Sequence, residues 1–387
     1  MRWAGQVVND SGESDDEQGR LGQLGLFGHG AVARTFDTPE FRGVTFYEVH
    51  AKSVLNHVPG NSFMFSWTVN PYRGCTHACK YCFARNTHTY LDLDAGHDFD
   101  SRIVVKVNAP QVLRRELARG SWGREHVAMG TNVDCYQRAE GRYRLMPQII
   151  DALAAADTPF SILTKGTLIL RDLPALRLAA SRVAVGLSFS VGFVDERFWR
   201  AVEPGTPSPL RRLAAVRTLS ESGLGCGVLM APILPYLTDS PSQLRATVEA
   251  IARAGARSVT PLVLHLRPGA REWYLRWLTQ DHPDLVDRYR TLYRGGSYAA
   301  KRYQHRITEQ VGEYAHEFGI GRRAQRLPGS SERGSSAIES PERSAPSAPS
   351  VGGDQSPDHS AGHSASHCPG NSPAHPPVAA HEQLRLL

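Results

Sequence analysis

The chain has 387 residues, 41% of them hydrophobic, enough for one large α/β domain or two smaller ones. Its 44 Lys and Arg against 38 Asp and Glu leave a net charge of +6, an excess that admits a nucleic-acid partner without establishing one. No apolar run reaches the roughly 18 residues of a membrane span, and no secretory signal opens the chain, so a soluble, cytoplasmic protein without a membrane partner is expected.

Residues 1–60 are irregular but carry apolar groups around Phe41–Tyr47 and Val54–Leu55, and read as an extension packed on a core of residues 61–320. Within that core, short β-branched or apolar runs alternate with longer amphipathic ones, the pattern of parallel strands joined by helices. Strands are predicted at Phe65–Val69, His126–Gly130, Phe160–Thr164, Val183–Ser190, Gly227–Ile233 and Val259–Leu266. A further short strand, Ile103–Val107, precedes a helix over Gln111–Ala118 and is expected at an edge. Ser208-Pro209 opens a helix with a face of Leu210, Leu213, Ala214 and Leu219, closed by Gly223. Ser240-Pro241 opens the next, with Leu244, Val248 and Ile251 on one face and Gly255 as terminator. The expected fold is α/β: a partial (β/α)6 TIM-like barrel with an N-terminal extension, C-terminal helices and a tail. In such folds chemistry gathers at the carboxyl ends of the strands. The tail, residues 321–387, is rich in Ser, Pro, Gly and His and reads as disordered, so His359, His363, His367 and Cys368 are read as solvated rather than metal-binding.

Three of the six cysteines fall within eight positions, in Asn70-Pro-Tyr-Arg-Gly-Cys75-Thr-His-Ala-Cys79-Lys-Tyr-Cys82-Phe-Ala-Arg85, directly after the first core strand. Gaps of three and two residues let Cys75, Cys79 and Cys82 fold around one cubane 4Fe-4S cluster, each thiolate on a different iron and the fourth iron open. The alternative is zinc, with His77 or His88 completing a tetrahedral set; zinc modules usually bring two short ligand pairs, and no second pair exists here.

The spacing Cys75-x-x-x-Cys79-x-Tyr81-Cys82 resembles the radical S-adenosylmethionine (SAM) superfamily. With Gly130-Thr-Asn-Val-Asp134, Thr164-Lys165-Gly166, Ser188, Glu203-Pro204, Arg212 and Ala231-Pro-Ile-Leu-Pro235, the chain is similar to the spore photoproduct lyase branch over about residues 1–320. Within that branch it resembles an uncharacterised actinobacterial group. The resemblance implies that SAM binds the open iron and that a reduced cluster cleaves it to methionine and a 5′-deoxyadenosyl radical. It also implies that Tyr81 contacts adenine, that Lys165 and Ser188 help bind SAM, and that Thr131 and Asp134 contribute similarly. Photoproduct lyases use a cysteine as hydrogen-atom donor after the second strand; Cys135 lies in that neighbourhood in a different register, so a donor and an inert buried thiol both remain open.

Glu203 and Arg212 are expected to pair and fix the loop before a helix. The segment His265–Trp277 mixes cations and aromatics; it suits either base stacking or a helix packed on the core. The sequence holds no electron-transfer domain, so an external one-electron donor of flavodoxin or ferredoxin type is implied. Three functions follow: radical chemistry on a nucleic acid or nucleotide, radical modification of a peptide or small metabolite, or a zinc-stabilised binding module without catalysis. A nucleotide in a duplex would have to flip out to react.

Overall fold

The computed structural model describes residues 31–58 and 65–320. The tail at 321–387, with its four candidate metal ligands, lies outside the described residues, as do residues 1–30 of the extension. The strands are β1 (Val32–Thr35), β2 (Thr45–Val49), β3 (Leu55–His57), β4 (Trp67–Val69), β5 (Tyr72–Arg73), β6 (Arg102–Lys106), β7 (Val127–Met129), β8 (Phe160–Thr164), β9 (Val185–Ser190), β10 (Cys226–Ile233) and β11 (Val259–Val263). The helices are α1 (His97–Ser101), α2 (Ala109–Leu117), α3 (Arg138–Tyr143), α4 (Leu145–Ala155), α5 (Leu173–Ala180), α6 (Glu196–Val202), α7 (Pro209–Glu221), α8 (Pro241–Arg253), α9 (Ala270–Asp281), α10 (Val286–Leu292) and α11 (Lys301–Glu317). None is long and apolar enough to cross a membrane.

One sheet runs β11-β10-β9-β8-β7-β4-β3. Its six core strands, β4 and β7 to β11, are parallel neighbours in chain order, so each crossover places the next strand beside the last. This is the partial (β/α)6 barrel expected from the alternating runs. β10 and β11 change register between Met230 and Ile233, around Pro232, which has no N–H for the ladder.

The extension joins this body through two devices. β3 pairs antiparallel with β4, and the buried Glu116 of α2 accepts from the Val54 and Leu55 N–H groups at 3.1 and 3.0 Å, which fixes the start of β3. A second sheet runs β1-β2-β6-β5. Here β6 is an inner strand between β2 and β5, not an edge, because Thr45–Val49 pairs along its full length. The short β5 on its other side leads straight into the cysteine loop.

The helix openings follow the sequence. Ser208 and Ser240 cap α7 and α8 ahead of Pro209 and Pro241, and Gly223 and Gly255 close them with positive φ. Leu244, Val248 and Ile251 are buried as expected. On α7 the buried face is rotated: Arg212, Leu213, Ala215, Val216 and Leu219 face in, while Leu210 is 56% exposed and Ala214 also faces out. The reason is Arg212, whose partner Glu203 lies in the core.

Candidate active site

The loop after β5 is fixed before any ligand is considered. Gly74 turns the chain at φ +78°, and Cys75 then donates its N–H to the Phe99 carbonyl at 2.9 Å. The buried Gln137 side chain accepts from the Thr76 N–H and donates to the Gly74 carbonyl, each at 2.9 Å, so both ends of its amide are used. From the other side, Lys80 donates to the Val202 carbonyl at 2.9 Å and Gly205 to the His77 carbonyl at 3.0 Å. A Cβ at Gly205 would lie 2.1 Å from the Thr76 carbonyl oxygen; the turn presses on the loop because that atom is missing.

Arg85 closes the loop from within. Its guanidinium is fully buried, donates to the Cys79 carbonyl at 2.9 and 3.2 Å, to both Asp100 oxygens at 2.9 Å, and to the Gly96 carbonyl at 2.7 Å. The Trp273 and Phe99 rings cover it at 4.7 and 5.2 Å. Trp273 also faces Lys80 and Arg276, both at 5.6 Å, while Tyr274, Trp277 and Leu278 are buried, so α9 packs on the core.

A cavity of about 160 Å³ lies at the carboxyl ends of the barrel strands, lined by Cys75, Cys79 and Cys82. Tyr81, Thr131, Asp134 and Lys165 line it too, so most of the residues singled out in the sequence come together. Ser188 does not: it is the fourth of the six residues of β9, and Ser190, on the same face at the strand end, reaches the cavity instead. Ser190 accepts from Lys165 Nζ at 2.7 Å and donates to the Ala231 carbonyl at 2.8 Å. Cys135 is 1% exposed and does not line the cavity; burial, with the Asp134 carboxylate, pushes its thiol well above the ordinary range.

Asp134 links two strand ends, accepting from Thr164 Oγ1 and the Lys165 N–H at 2.6 Å and from the Tyr136 N–H at 2.8 Å. His77 Nδ1 is 3.4 Å from it, yet burial pushes the imidazole down to about 4. Behind the cysteines runs a buried chain: Tyr81 donates its hydroxyl to Glu203, Arg212 pairs with the other Glu203 oxygen, and Arg212 donates to the Ser190 carbonyl at 2.7 Å. Lys165 Nζ sits 5.7 Å from the Tyr81 ring centre. Burial raises the Glu203 carboxyl, but the Arg212 and Lys165 charges outweigh it and hold the group below the usual range.

The opposite wall comes from β10, β11 and the two residues after it: Leu229, Ala231, Pro232, Leu262, Val263 and Leu264, with His265 as its polar exception. The Nδ1 of His265 is buried without a hydrogen-bond partner, and burial, helped by the Arg267 charge, pushes the imidazole down to about 4. Sequence reasoning missed Ser190 as a lining residue, though strand alternation from Ser188 points to it; His265 was marked only as the first residue of the mixed cationic and aromatic segment His265–Trp277.

Burial pushes all three cysteine thiols up, and at Cys82 the Arg85 charge pulls the other way. Such thiols ionise on binding a metal centre. Among the described residues no three His, Cys, Asp or Glu side chains are arranged to hold one ion, and His88 turns away to the Arg102 carbonyl at 2.9 Å. Three cysteines around one cavity therefore fit a cluster that spreads its thiolates over different irons better than a lone zinc.

A profile of the Radical SAM superfamily matches residues 69–252. An uncharacterised protein of Mycobacterium tuberculosis (H37Rv) is 52% identical over 312 residues, 80% of this chain and 91% of the relative. The chain belongs to the radical SAM superfamily. Radical SAM membership implies a 4Fe-4S cluster and SAM as cofactors. An uncharacterised protein of Methanocaldococcus jannaschii is 29% identical over 198 residues, 51% of this chain and 70% of the relative. Among solved structures, spore photoproduct lyase complexed with dinucleoside spore photoproduct superposes with a TM-score of 0.55 at 17% identity, over 71% of this chain and 80% of that one. A mutant of that enzyme with bound AdoMet and dinucleoside spore photoproduct gives 0.55 at 16% identity, over 83% and 87%. At these identities the likeness is one of fold.

Proposed function

We propose that this radical SAM protein cleaves SAM reductively at a cluster held by Cys75, Cys79 and Cys82 and directs the resulting radical at a nucleotide unit of a nucleic acid. When bound, the cluster supplies the electron that breaks SAM into methionine and a 5′-deoxyadenosyl radical, the electron arriving from an external flavodoxin or ferredoxin. The observation that carries the reading is the convergence of three thiols with Tyr81, Asp134 and Lys165 on one cavity at the strand ends. The chain's own residues bind and orient. Glu203 fixes the Tyr81 hydroxyl, so its ring presents a set face for adenine, and Ser190 holds the Lys165 ammonium within reach of a carboxylate. Thr131 and Asp134 offer further polar contacts, with Asp134 already anchored by Lys165 and Thr164. The aliphatic wall of β10 and β11 excludes water from a reactive carbon radical. The nucleic-acid assignment is supported by the likeness to spore photoproduct lyase and by the basic balance of the chain.

The test is anaerobic reconstitution with iron and sulfide, dithionite reduction, and assay of 5′-deoxyadenosine in wild type and Cys79→Ala, with and without DNA. Formation that vanishes in the variant and rises with DNA supports the reading. Formation indifferent to DNA points to a peptide or small metabolite, and a zinc-loaded protein without SAM cleavage points to a binding module.

A further inference from the structure

A second recess lies beside the cavity, and it is built differently. It is a surface groove of about 910 Å³ between the end of α10 and the start of α11, with Thr291, Arg294, Lys301, Gln304, His305 and Thr308 along it. No Asp or Glu lines it. Arg294 and Lys301 are exposed and neither forms an ion pair with a described residue; His305 is shared with Glu309 at 3.1 Å. Thr291 and Thr308 spend their hydroxyl protons on helix carbonyls and Gln304 donates to the Ala299 carbonyl, so the two free cations are what the groove offers a phosphate chain.

The groove and the cavity meet across two aromatic side chains. Tyr298, 38% exposed, lines the groove and packs its ring 4.5 Å from that of His265, and the two residues form a backbone β-bridge. His265 in turn lines the cavity, where its unpartnered Nδ1 is the polar feature of an aliphatic wall. An exposed ring beside free cations is the arrangement that stacks a base while its phosphates are neutralised. An acidic peptide would satisfy the cations but leave Tyr298 and the neutral His265 without a planar heterocycle to meet.

We propose that this groove seats the phosphodiester strand flanking the target nucleotide. One base stacks on Tyr298 and the target passes His265 into the cavity. The inference rests on the nucleic-acid reading of the cavity, and it requires an unstacked strand because a paired nucleotide cannot reach the radical.

The experiment uses the reconstituted full chain and a fluorescein-labelled single-stranded oligonucleotide, with anisotropy read across a series of salt concentrations. Arg294→Gln/Lys301→Gln should weaken binding about tenfold and flatten the slope of log K against log salt by about 1.4, at about 0.7 per phosphate contact. Tyr298→Ala should cost about tenfold with the slope unchanged. Arg177→Gln/Arg182→Gln on the exposed surface around the end of α5 removes the same charge elsewhere and should change binding less than twofold. Equal losses in the two double variants would reduce the effect to net charge and overturn the proposal. Competition by polyglutamate as effective as by DNA would overturn it in favour of an acidic polypeptide.

The same preparations are assayed for 5′-deoxyadenosine. Stimulation by DNA in wild type and its loss in the groove variant support the proposal. Equal stimulation in both leaves the nucleic-acid reading standing and sinks the groove. No stimulation in wild type sinks both.

Discussion

Arg212→Met removes the cation from a carboxylate that has no water to turn to. Both members of the Glu203–Arg212 pair are 0% exposed, and one Glu203 oxygen depends on Arg212 while the other accepts from Tyr81. Breaking a buried pair from one side costs about 3–5 kcal/mol because the remaining charge is stranded. With a urea slope of about 3 kcal/mol per molar, the midpoint should fall by about 1–1.7 M. Glu203→Gln/Arg212→Met removes both charges and should lose much less than the sum of the single variants. The pair also sets an acid limb. Since Glu203 is held below its usual range in the folded chain, its contribution is complete above about pH 4.3 and is lost as pH falls through the lower folded value. Urea titrations of the cluster-free protein at several pH values measure both effects. A single-variant loss under about 1 kcal/mol, or a double variant as unstable as the sum, would refute the argument.

Gly205→Ala should displace the cysteine loop, since the new Cβ falls 2.1 Å from the Thr76 carbonyl oxygen; bound iron per chain after reconstitution should drop below half of wild type. Ser190→Ala should weaken SAM binding by freeing Lys165 Nζ, whereas Ser188→Ala, outside the cavity, should not, as isothermal titration of the reconstituted protein would register. With His265 pushed down to about 4 mainly by burial, its contribution to stability is fully present above about pH 6.5 and lost as pH falls through about 4. His265→Leu should therefore flatten that part of the acid profile, read by chemical denaturation across the same range.

The barrel was legible because its strands read as short β-branched or apolar runs alternating with amphipathic helices, and because Ser-Pro openings and glycine stops punctuate α7 and α8. The cysteine loop was legible because its spacing is chemical rather than conformational. What escaped depends on distant partners. The pairing of Thr45–Val49 with Arg102–Lys106 has no local signal, so β6 read as an edge. An arginine in a helix reads as solvent-facing until Glu203 is known to be buried opposite, which is why the face of α7 was misjudged. Ser188 and Ser190 share a face, and which of them reaches the cavity depends on where β9 ends. The role of Arg85 emerges only when Cys79, Asp100, Gly96 and Trp273 meet around it.

The stitching of the cysteine loop to the 202–205 turn, through Lys80 to Val202 and Gly205 to His77, has a further consequence. The cysteine-bearing half of the site takes its backbone hydrogen bonds from Phe99, Gln137 and that turn, and among the described residues from none beyond β10. The aliphatic wall, His265 and the groove all come from the carboxyl-terminal third of the described chain. The two halves meet at Trp273 of α9, whose ring covers the Arg85 guanidinium that closes the cysteine loop, so an exchange of the segment from Leu264 to Lys301 that changes the wall and the groove must keep that ring if the loop is to keep its form.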